Sequence, residues 1–133
     1  MDAEVSPEMA AQVLGMLTDG GSMDHINTSL ALHLIPLAQE VEDRELVEQL
    51  LEHASKVATN DEERGWAKFE ALKVMEASLE SYLRLAEEAE HIEDAQGLTA
   101  AVNHYIALLY MAEGKLDEAR ATAQHALRLR HVI

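Results

Sequence analysis

Residues 100–129 read AAVNHYIALLYMAEGKLDEARATAQHALRL, and the turn at their centre is Glu113-Gly114-Lys115-Leu116-Asp117-Glu118-Ala119. Ile106, Leu109, Tyr110 and Met111 recur at helical spacing before Gly114; Leu116, Ala119, Ala123, Ala126 and Leu127 recur after it. Gly114 suits the left-handed residue that ends a helix. Asp117 and Glu118 fall in the first turn of the next helix, where negative charge meets the positive end of the dipole. The stretch is therefore expected to be a helical hairpin.

Working outward, the rest of the chain is also helical in pattern. Ser6-Pro7-Glu8 predicts a helix start, with Ser6 as N-cap and Pro7 at the first helical position, and the helix 6–18 carries Met9, Val13, Leu14, Met16 and Leu17. Asp19-Gly20-Gly21-Ser22 breaks the chain. Ile26, Leu30, Leu34, Leu37 and Ala38 mark a helix over 23–40, in which Pro36 predicts a kink or an early end. Leu46, Val47, Leu50, Leu51, Ala54 and Val57 mark a helix over 45–58. Thr59-Asn60-Asp61 is read as the cap of a fourth helix, with Trp66, Phe69, Leu72 and Met75 along one side. A fifth, over 79–92, is expected to turn Leu79, Tyr82, Leu83, Ala86 and Ala89 inward.

Ala126 falls on Ala89 at a separation of 37 residues, and Ala89 on Ala54 at 35. In this register the second helices share a stripe: Val47, Leu51 and Ala54, then Tyr82, Ala86 and Ala89, then Ala119, Ala123 and Ala126. The first helices share a core position at Leu34, Phe69 and Ile106. Small residues on one stripe let helix backbones approach closely, and larger neighbours fill the gaps beside them.

The last hairpin resembles a tetratricopeptide repeat (TPR), a 34-residue antiparallel helix pair. With Gly114 as the turn glycine, Ile106, Ala107 and Tyr110 match the family's positions in the first helix, and Ala119 and Ala126 match its two second-helix alanines. Trp66 lands where the family prefers Trp; Asn103 holds that place in the last unit and Ala123 replaces an aromatic. Glu42 and Ala77 stand where the first two units lack the turn glycine, so those units are open to reading as other helical hairpins. The resemblance implies an all-α, right-handed superhelix of three hairpins, over 23–58, 61–92 and 98–130. One N-terminal helix precedes them, and residues 1–133 form a single domain.

Such repeats line a concave surface with their first helices and bind peptides or helices there. The family's inward positions correspond here to Leu32, Pro36 and Gln39; to Arg64, Ala67, Ala71 and Val74; and to Ala101, His104, Leu108 and Met111. That groove is mostly apolar and suits an amphipathic helix, with Arg64, Gln39 and His104 giving orientation. The alternatives are that the N-terminal helix covers it or that it is partly core. Leu32, Pro36, Ala67 and Ala101 replace the Lys and Asn that the carboxylate-gripping subtype needs.

Composition bounds the remaining function classes. The chain has 133 residues, 48% of them hydrophobic and 4% aromatic, with two prolines and no cysteine. Disulfides, zinc thiolates and cysteine nucleophiles are therefore excluded. A net charge of −15, from 25 acidic and 10 basic residues, opposes binding to nucleic acid and to anionic membranes; it is read first as solubility and second as attraction to a basic partner. No apolar run approaches the roughly 18 residues of a membrane span and no targeting segment is evident, so a soluble cytoplasmic protein is expected. No phosphate loop, nucleophile elbow or zincin motif occurs, and no enzyme activity is expected.

Glu88-Ala89-Glu90-His91 contains one Glu-x-x-His, whereas di-iron bundles need two such motifs plus two further glutamates. A metal- or ligand-binding bundle is kept as an alternative on that motif, with no metal or cofactor assigned. His104, on the groove, would make binding sensitive to pH. A further alternative is self-assembly. Lys115, Arg120, Arg128 and Arg130 concentrate positive charge in the last helix, where Leu127, Val132 and Ile133 lack a polar capping helix. A homodimer through that helix is the expected form.

Overall fold

α6, at Gln96–Ala112, has no Asp, Glu, Lys or Arg in 17 residues, and α2, at Thr28–Glu40, has only Glu40. Helices this apolar must be covered on more than one side, and the computed structural model, which describes residues 7–19 and 22–132, shows how. The other helices are α1 (Pro7–Thr18), α3 (Arg44–Lys56), α4 (Asp61–Val74), α5 (Leu79–Glu90) and α7 (Leu116–Val132). The described residues are thus all-helical between turns. Two compact units divide between Glu70 and Ala71.

In the first unit α2 packs against both α1 and α3. It buries Thr28, Ala31, Leu32 and Ile35 along one side and Leu34 and Ala38 along another, while α3 buries Leu46, Val47, Leu50 and Ala54. Leu34 and Leu50 have no accessible surface, and burial of such a side chain contributes about 1.5–3 kcal/mol. Two hydrogen bonds fix the chain entering α2 to the end of α3. The Thr28 hydroxyl donates to the Ala54 carbonyl at 2.8 Å, and the His53 Nε2–H donates to the Ile26 carbonyl at 2.7 Å. At the start of α4, Asn60 Oδ1 accepts the Glu63 N–H, and the Glu63 carboxylate reaches back to the N–H and hydroxyl of Thr59. This is a capping box displaced by one residue.

In the second unit α6 packs against α5 and α7. It buries Leu98, Val102, Ile106 and Ala107; α5 contributes Tyr82, Leu85, Ala86 and Ala89, and α7 contributes Ala119 and Ala126. The Tyr82 and Tyr105 rings meet at 4.9 Å. Asn103, at the position of the family's Trp, is buried with its amide donating to the Thr99 carbonyl, and the Thr99 hydroxyl donates to the Ala95 carbonyl. Bonding within the helix is what allows these polar groups to be buried.

Three helices end in the same way. After α6, Gly114 has φ +77°, its N–H donates to the Met111 carbonyl, and the Lys115 N–H donates to the Tyr110 carbonyl. After α2, Glu42 (φ +58°) donates to Gln39 and Asp43 to Ala38; after α4, Glu76 (φ +53°) donates to Lys73 and Ala77 to Leu72. Each is a Schellman motif, which satisfies the last carbonyls and reverses the chain. The left-handed residues of these three motifs stand 34 apart (42 to 76) and then 38 apart (76 to 114); Asp94 (φ +59°), after α5, is left-handed too and falls outside that series.

Several expectations change. α2 starts at Thr28 and not at Met23, because the Asn27 side chain caps it by accepting the Leu30 N–H. It continues past Pro36 to Glu40: Pro36 is exposed, so its ring faces away from the core, and the buried Leu34, Ile35 and Ala38 hold the helix on both sides. The turn residue after α4 is Glu76, not Ala77, and Met75 lies beyond the helix, 69% exposed. On α5 Leu83 is 41% exposed and Leu85 is buried in its place, because Tyr82, Leu85, Ala86 and Ala89 form the face toward α6. Ser6 and Gly20-Gly21, read as a cap and a break, lie outside the described residues.

Two consequences are measurable by denaturant unfolding. Gly114→Ala is expected to cost about 1–2 kcal/mol although a Cβ there meets nothing within 4 Å, since the penalty is backbone conformation alone; Glu76→Gly is expected to be neutral or to stabilise by up to about 1 kcal/mol. Thr28→Val is expected to cost about 1–2 kcal/mol, because it leaves the Ala54 carbonyl without its buried donor.

Candidate functional site

Ala101, His104, Leu108 and Met111 follow one another at spacings of 3, 4 and 3, which places them on one side of α6. Ala101 is half-buried and His104 exposed; Leu108 is 47% and Met111 57% exposed. The opposite sides of the same helix are occupied by Leu98, Val102 and Ile106, which are at most 1% exposed. An uncharged helix thus presents an apolar strip to solvent, with one imidazole set into it. The Schellman motif at Glu113-Gly114-Lys115 ends the strip and brings α7 back along another side of α6.

In the first unit Pro36 and Gln39 are exposed on α2, and Arg64 is exposed on α4. The Arg64 guanidinium already pairs with Asp61 at 2.6 Å, an exposed pair within one helix turn. Ala71 and Val74, across the boundary in the second unit, are half-buried. Leu32, 5% exposed, and Ala67, 3% exposed, are corrections: both belong to packed faces, Leu32 with Thr28 and Ile35, and neither offers its side chain to a partner.

The histidines divide by what they touch. His53 is committed to the Ile26 carbonyl, and the His33 Nδ1–H donates to the Ser29 carbonyl of its own helix at 2.7 Å. His125 on α7 lies 3.2 Å from the Glu90 carboxylate on α5, a contact that joins residues 35 apart and that local spacing does not reveal. His91, the C-cap of α5, and Glu88 are exposed. Among the described residues no three His, Asp or Glu side chains gather in a metal-binding arrangement, and no helix is long and apolar enough to cross a membrane.

Sequence reasoning did not find the open cleft of about 330 Å³ in the first unit. It is lined by Leu17, Met23, Gln49, Glu52, His53 and Lys56. Its residues come from α1, α3 and the turn between α1 and α2, and His53 contributes there as a structural group. No protein-family model matches the chain, and neither a curated protein nor a solved structure matches it significantly.

The strip on α6 separates from the core in a stability measurement. Leu108→Glu and Met111→Glu are each expected to change unfolding free energy by no more than about 0.5 kcal/mol. Ile106→Ala, on the buried side of the same helix, is expected to cost about 2–4 kcal/mol.

Proposed function

We propose that this chain is a protein-protein interaction module of TPR-like hairpins and that the α6 strip of His104, Leu108 and Met111 is where it holds its partner. The observation that carries the reading is the exposure of Leu108 and Met111, 47% and 57%, on a helix without a charged side chain. Exposed apolar strips of this kind are uncommon on faces that meet only water. Three helix endings of one geometry, 34 and 38 residues apart, support the repeat reading and with it a superhelix whose first helices form the binding surface.

The partner is an amphipathic helix or an extended apolar segment. Its apolar side lies on Leu108 and Met111, with His104 oriented toward a polar group at the edge. The net charge of −15 selects for basic residues flanking that segment, which speed encounter more than they add to final affinity. In the first unit, Pro36 and Gln39 are exposed on α2, the helix at the equivalent place in the hairpin.

Peptide selection from an unbiased display library tests this directly. The expected ligands are amphipathic sequences with basic flanks, and both Leu108→Glu and Met111→Glu are expected to weaken them at least about tenfold, since each buries a charge against an apolar face. Ligands that bind both variants as tightly as the parent protein contradict the assignment.

A further inference from the structure

The flank of α7 carries a second surface, independent of the α6 strip. Leu116, Arg120, Ala123 and Leu127 follow one another at spacings of 4, 3 and 4, along one side of the helix next to its buried face. Leu116 is 61% and Leu127 52% exposed, Arg120 is exposed, and Ala123 is half-buried. In the 37-residue register these four correspond to Leu79, Leu83, Ala86 and Glu90 of α5; Leu79 is half-buried and Ala86 8% exposed, while Leu83 and Glu90 are exposed, so α7 leaves more of this side open at Leu116 and Ala123. Among the described residues no further helix covers this side of α7.

Charge selects the occupant. The first unit has 15 acidic and 4 basic residues, net −11; the second has 10 and 6, net −4. Within the second, residues 115–130 hold Lys115, Arg120, Arg128 and Arg130 against Asp117 and Glu118, net +2. Arg120 and Arg128 are exposed, and among the described residues neither forms an ion pair. Among the described helices α7 alone is net positive, and it also has the uncovered apolar flank. Two copies carry like net charge, and a contact between α7 and an acidic surface offsets that repulsion locally.

We infer that the α7 flank binds the acidic first unit of a second copy of this chain, head to tail, with Leu116 and Leu127 buried in the contact and Arg120 facing carboxylates. On the first unit, α3 offers Glu45, Glu48 and Glu52, all exposed and spaced 3 and 4 apart along one side, with the exposed Lys56 one turn beyond Glu52 at the end of the same stripe. The two surfaces differ, so the contact is heterologous, and it grows into a ring or a chain and does not stop at a symmetric dimer.

Sedimentation velocity of the full chain tests this over a range of concentrations, at low salt and at about 0.5 M salt, where charges beyond a few ångströms are screened. The expected mass exceeds the 14.7 kDa of one chain and rises with concentration at low salt, then falls toward that value at high salt. Arg120→Glu with Leu127→Ser is expected to stay monomeric while its circular dichroism and thermal transition match those of the parent. Glu45→Lys, Glu48→Lys and Glu52→Lys together are expected to do the same. Mixed, these two variants retain one working surface of each kind and are expected to form a one-to-one pair that grows no further. A parent that sediments at 14.7 kDa under every condition overturns the inference. So does a charge-reversed α3 variant that still self-associates, which would show α7 meeting α7, or a mixture that remains monomeric.

Discussion

An uncharged helix cannot stand at a surface on its own, and this chain contains two that are nearly or wholly so. α6 has no formal charge in 17 residues, α2 one, and each has to be covered from two sides. That requirement explains the layout of each unit. α1 and α3 lie against α2, α5 and α7 against α6, and the flanking helices α3, α5 and α7 carry the charges outward. It also explains where the surface becomes unusual. Two flanking helices cover two sides of a cylinder, and the side of α6 that remains keeps Leu108 and Met111 in water. α1 covers α2 loosely, since Met9 and Met16 remain 41% and 62% exposed and none of its described side chains is fully buried.

The reversals between helices show how far local sequence can be read. Gly114 announces a left-handed residue because glycine pays no steric penalty there. Glu42 and Glu76 adopt the same conformation without announcing it; two hydrogen bonds to the preceding turn and the packing of the helices on either side outweigh the strain of a Cβ at positive φ. The periodicity of the turns was therefore present in the backbone while the residue types concealed it. Pro36 does not end α2: it lies on the exposed side, and Leu34, Ile35 and Ala38 hold the helix on both sides of it. Leu83 and Leu85 are chemically alike, and only the direction of α6 decides which one is buried.

The candidate site was legible in part for the same reason. His104, Leu108 and Met111 could be placed from the register of the last hairpin because Gly114 fixes that register. Leu32 and Ala67 were transferred from a family pattern into units where the packing uses both residues internally. The Thr28 to Ala54, His53 to Ile26 and His125 to Glu90 contacts join residues 26, 27 and 35 apart and leave no local trace. Their absence from the sequence reading follows from how they form: such pairs appear only once helices have packed.

Each unit is organised around its least charged helix, and the exposed face of α6 belongs to the most firmly held element of its unit. Native-state hydrogen exchange reads this residue by residue, because amides in the last structure to open exchange at the rate of global unfolding. Residues 102–107 of α6 are expected to contain the slowest amides of the second unit and residues 31–38 of α2 those of the first, and α1 is expected to exchange fastest among the helices of the first unit. Exchange in α6 no slower than in α7, or protection of α1 equal to that of α2, would contradict it.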